Sequence, residues 1–129
     1  MAGARILSVG QCSYDHGKIR GALNRSFEAE TVAAATAADA FRAMARDHFD
    51  LVLVNRVGDS DGEPGVDLIR ALKADPVNGA VPVMLVSNYA TAQEEAVAAG
   101  ALRGFGKGDL GTPVADDPIR AALTPAAKA

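Results

Sequence analysis

The chain has 129 residues, a length that fits one domain and should bury roughly two-thirds of its unfolded surface. Its formal charge of −3 favours no polyanionic partner, so direct nucleic-acid binding is not expected. No apolar run approaches the ~18 residues needed to span a bilayer, and the N-terminus lacks the apolar core of a secretion signal. One cysteine makes no internal disulfide, which leaves a reducing cytoplasm as the expected compartment.

Arg5-Ile-Leu-Ser-Val9 predicts the first strand, closed by Gly10. From Ile19 the period changes: Ile19, Ala22, Leu23 and Phe27 follow helical spacing, although Gly17 and Gly21 each weaken such a helix by about 1 kcal/mol. Glu30 to Ala34 predicts a second, thinner strand at a sheet edge. Ala37, Phe41, Met44, Ala45 and His48 then predict one helical face, with His48 partly buried on it. Leu51-Val-Leu-Val-Asn55 is apolar on both faces until its last residue, the pattern of a central parallel strand covered by helices on each side.

A loop rich in Gly, Asp and Pro runs from Arg56 to Gly65. Val66, Leu68, Ile69 and Leu72 predict the next helix, ended at Asp75-Pro76 because a residue before proline avoids helical angles. Val81 to Val86 predicts the fourth strand. Thr91 and Glu94 have capping-box spacing for a helix that Gly100 would stop in a left-handed turn. Leu102 to Gly106 predicts a weak fifth strand. Asp117-Pro118 has cap and N1 chemistry for a short final helix over Ile119 to Leu123. Strands alternating with helices through short crossovers specify an α/β doubly wound parallel sheet. Residues 1–123 are expected to form the domain, and 124–129 a flexible tail or the start of a linker.

These segments resemble the response-regulator receiver family. The resemblance rests on Asp50 to Asn55, on Gly65-Val-Asp-Leu-Ile-Arg-Ala-Leu-Lys-Ala-Asp-Pro76, on Val81 to Ser87 and on Ala98 to Lys107, in the family's order and near its spacing. It implies a flavodoxin-like five-stranded sheet of order 2-1-3-4-5 with helices on both faces. It also implies a bacterial signal-transduction domain in the manner of two-component systems. Receivers carry an aspartate nucleophile at the end of strand three, where this chain has Asn55. A neutral amide oxygen is a very poor nucleophile towards phosphorus. Receivers hold Mg²⁺ with an acid pair after strand one, where this chain has Gly10 and Gln11. That hard ion requires carboxylate oxygen, so neither metal nor other cofactor is expected. Ser87 and Lys107 match the family's hydroxyl and lysine, a remnant pocket. Gly108 replaces the proline that usually follows the lysine, and Gly104 replaces the aromatic switch.

The expectation is therefore a pseudo-receiver, not an enzyme, that acts by protein contact or self-association. Its expected face comprises Gln93, Glu94, Glu95, Arg103 and the last helix. Two alternatives stay open: a phosphoreceiver using another acid (Asp15, Asp59 or Asp61), and a domain sensing a small anion or nucleotide. Asp59, Asp61 and Glu63 imitate a calcium loop, but its sixth and twelfth positions are Pro64 and Arg70, so the motif fails. Asp15-His16-Gly17 is too compressed for a cobalamin loop. Cys12 has no evident base to activate it.

Overall fold

The computed structural model describes residues 3–123. Five parallel strands form one sheet in the order β2-β1-β3-β4-β5. They are β1 (Arg5–Val9), β2 (Glu30–Ala34), β3 (Leu51–Asn55), β4 (Val83–Val86) and β5 (Leu102–Phe105). The helices are α1 (Ser13–Phe27), α2 (Ala37–Arg46), α3 (Gly65–Ala74), α4 (Ala90–Ala98) and α5 (Pro113–Leu123), with a 3-10 turn over Lys107–Asp109. This is the flavodoxin-like order that the resemblance to receivers implies. Residues 124–129, where the sequence predicts a tail or linker, lie outside the described residues.

Strand alternation builds two cores. Leu7, Val9, Val52, Val54 and Leu85 face α2, α3 and α4, while Ile6, Leu51, Leu53, Met84 and Phe105 face α1 and α5. Ala40, Ala43 and Ala96 put small side chains at the helix contacts, so the helices close on a sheet that carries little aromatic bulk. With both faces covered, β3 is buried through Val54 and emerges only at Asn55, at the carboxyl edge of the sheet.

Several boundaries differ from the sequence prediction. Helix α1 begins at Ser13, well before Ile19, because the Cys12 thiol accepts from the backbone N–H of Asp15 at 3.4 Å and caps it. Helix α2 stops at Arg46 and turns Ala40 and Ala43 inward, so Ala37 and Ala45 are exposed. His48 falls past that helix; its side chain is 80% exposed and meets Asp50 at 3.0 Å. Phe49 takes the buried place instead. Strand β4 starts at Val83, not Val81. The Thr91–Glu94 capping box does not form, since α4 starts two residues earlier than a Thr91 cap would start it, with Tyr89 as N-cap and no side-chain cap bond. Gly100 does take a positive φ, 111°, just past α4. Helix α5 starts at Pro113, where the Thr112 carbonyl accepts from Ala115 and Asp116, and Pro118 lies inside it.

Candidate functional site

The carboxyl ends of β1, β3, β4 and β5 converge on one edge, where the sheet order reverses direction. Asn55 enters this edge from β3, paired in register with Val86 of β4. An ideal Cβ on Gly65 would lie 2.1 Å from the Asn55 carbonyl oxygen, so only glycine lets α3 begin this close to the strand end. Gly10 turns the chain after β1 with a φ of 79°.

The Asn55 amide is turned onto the backbone. Its Nδ2 donates to the carbonyls of Gly10 at 3.0 Å and Val57 at 2.8 Å. The Gly10 carbonyl also accepts from the backbone of Asp59 at 2.9 Å. The Gln11 carboxamide is buried at both of its polar atoms and has no hydrogen-bond partner among the described residues.

Lys107 follows β5 in the 3-10 turn and reaches across to α1, where Nζ donates to Asp15 Oδ2 at 2.7 Å. That bond is the largest cause holding the Asp15 carboxyl below its ordinary 3.8; burial opposes it, and the Cys12 contact assists. The Ser87 hydroxyl accepts from the backbone N–H of Tyr89 at 3.1 Å. Asn55, Ser87 and Lys107 line one cavity of about 200 Å³ together with Arg56, Asn88 and Tyr89, and the Arg56 guanidinium lies 4.9 Å from the centre of the Tyr89 ring.

On the predicted partner face, Glu94, Glu95 and Arg103 are exposed. Gln93 is not on it. It is 4% exposed and its amide points into the sheet, because its helical position faces the gap between β4 and β5. Sequence reasoning passed over Asp15 as the partner of Lys107; its only signal was a carboxylate in the first turn of α1, beside the same strand ends. Asp59, Asp61 and Glu63 are exposed, and Asp61 accepts from the backbone of Glu63 at 3.0 Å. Among the described residues no group of three or more His, Cys, Asp or Glu side chains is placed to hold a metal ion.

Sheet order and strand-end edge together are the fold of response-regulator receiver domains. The chain superposes on NtrX from Brucella abortus with a TM-score of 0.76 at 23% identity, covering 98% of this chain and 28% of that one. On the signal receiver domain of a DNA-binding response regulator from Colwellia psychrerythraea the TM-score is 0.73 at 19% identity, covering 98% and 99%. On the chemotaxis response regulator CheY4 of Vibrio cholerae it is 0.68 at 16% identity, covering 94% and 96%. At these identities the likeness is one of fold. The chain thus spans little more than a quarter of NtrX, and nearly all of the Colwellia receiver domain and of CheY4. No protein-family model matches the sequence, and no curated protein matches it.

Proposed function

We propose that this chain is a degenerate receiver that signals without accepting phosphate, acting as a protein-interaction or self-association module of the bacterial cytoplasm. The observation that carries this reading is the carboxamide of Asn55, whose donors are spent on Gly10 and Val57. The position where a receiver needs a charged nucleophile holds a neutral group already committed to the backbone.

Two further features support it. The donor set does not fit Mg²⁺. Gly10 has no side chain and its carbonyl already accepts twice, while Gln11 and Asn55 bring amides where that ion needs carboxylates. Lys107, which would neutralise a phosphoryl group, is neutralised by Asp15. The same bond weakens the alternative of a substitute acid, since Asp15 is occupied. Contact with a partner would fall on α4, β5 and α5, where Glu94, Glu95 and Arg103 are exposed beside the apolar Val97, Leu102 and Val114.

The test combines Mg²⁺ and beryllium fluoride, followed by amide NMR, with acetyl phosphate followed by intact mass. The expected result is no saturable shift at Asn55, Ser87 or Lys107 and no phosphoryl-sized adduct. Either response would overturn the reading, and a response to nucleotide alone would favour a small-ligand sensor. Light scattering after size exclusion then separates self-association from a need for a different partner.

A further inference from the structure

The ladder between β4 and β5 is irregular. Met84 pairs with Leu102 and Val86 with Phe105, so one residue of β4 stands opposite two of β5. A bulge of this kind leaves backbone groups without ladder partners. Here the orphans are claimed by one side chain from a helix. Gln93 Nε2 donates to the carbonyls of Leu85 at 2.9 Å and Ser87 at 3.1 Å, and Gln93 Oε1 accepts from the Gly104 N–H at 2.9 Å. The carboxamide thus stands in for a stretch of backbone between the two strands. Glycine is required opposite it, since an ideal Cβ on residue 104 would lie 2.0 Å from the Leu85 oxygen.

We infer that Gln93 is a positioning clamp that fixes α4 to β4 and β5 as one rigid unit. The Gln93 side chain and its bond to Leu85 are buried and the other two bonds partly so, and releasing α4 would take these partners from one donor and two acceptors. Ser87, a residue of the candidate site, is held through its carbonyl by the same amide. The segment between β4 and α4 therefore moves with the helix or not at all. The helix that carries Glu94 and Glu95 is presented in one fixed arrangement, whatever the state of the cavity beside Asn55. This inference rests on the observed hydrogen bonds and not on the proposed loss of phosphorylation.

Site-resolved amide hydrogen exchange on the intact chain tests it. In the unaltered protein the Gly104 amide and the amides of α4 should exchange as slowly as those of β4. Gln93→Met keeps the length and removes all three bonds. Gln93→Glu, at neutral pH, keeps an acceptor for Gly104 and loses both donors. Each should speed exchange at Gly104 and along α4 by roughly tenfold or more, the signature of local opening, while β1 and β3 remain protected. Rapid exchange at Gly104 in the unaltered protein would overturn the inference, and so would slow exchange there in Gln93→Met. Should neither variant fold, the unaltered chain alone still decides. A positive beryllium fluoride response would sink the functional proposal and leave these exchange rates untouched, so the two ideas fail separately.

Discussion

Lys107 and Asp15, 92 positions apart in the chain, meet at 2.7 Å and tie the end of β5 to the first turn of α1. The side chains are 32% and 25% exposed, so the pair is partly shielded from water. In a receiver of this fold the lysine would face a carboxylate on β3. Here the anion comes from a neighbouring helix, and the charge of Lys107 is met without any acid at position 55.

Asp15→Asn should therefore cost stability at neutral pH, by about 1 kcal/mol for a partly exposed charge-assisted bond. The folded state lowers the Asp15 pKa, chiefly through the bond from Lys107, so the contribution is fully present above the ordinary 3.8 and fades as the pH falls through the lower folded value. Urea unfolding of both proteins at a series of pH values checks this. The stability gap should be open at pH 7 and close in acid, and a gap independent of pH would show that the ion pair is not its source.

Placing a carboxylate on β3 should harm the fold, and the proposed function predicts that it brings no phosphate acceptance. In Asn55→Asp, the carboxylate oxygen that replaces Nδ2 faces the carbonyls of Gly10 and Val57, both of which now accept from the amide. The expected cost is about 1–3 kcal/mol, read as a lower denaturation midpoint. Acetyl phosphate with Mg²⁺ should still give no adduct by intact mass, because positions 10 and 11 remain Gly and Gln.

Gly65→Ala tests the packing that brings Asn55 to the edge. The new methyl would sit 2.1 Å from the Asn55 carbonyl oxygen and 2.9 Å from a Val54 methyl, so the start of α3 must shift away from β3. A loss of about 1–3 kcal/mol is expected, as for other overpacked sites. Thermal unfolding gives the size, and shifted amide resonances at Asn55 and Val57 would place the effect.

Strands β1 and β3 were legible because each is a largely apolar run whose end coincides with a change of chemistry, and β1, β2 and β3 have the bounds that the sequence predicts. The receiver-like edge was legible through Asn55, Ser87 and Lys107, which share one cavity. What the sequence hid depends on partners distant in the chain. Nothing in the helical run around Gln93 separates an amide that faces water from one that repairs a strand bulge, and the bulge itself arises where Gly104 lets β5 crowd Leu85. The start of α1 was hidden for another reason: its cap is a thiol, outside the usual Ser, Thr, Asp and Asn.

The last helix begins ahead of the residues whose chemistry would open it. By residue chemistry, Asp117-Pro118 should open it; in the structure Thr112 and Pro113 do, and Pro118 lies a turn and a half inside. A proline there cannot bond the Val114 carbonyl and crowds it, a defect worth ~3 kcal/mol in a regular helix interior. Burial of Ala115 and Ile119 on the sheet offsets the defect. Pro118→Ala should remove the clash and restore the bond while giving up about 0.4–1 kcal/mol of unfolded-chain restriction, for a net gain of about 2 kcal/mol. Chemical denaturation should show a higher midpoint with an unchanged slope, and the new residue-118 amide should be protected from exchange. A loss of stability instead would show that the packing of the Pro118 ring and its restriction of the unfolded chain outweigh the missing bond.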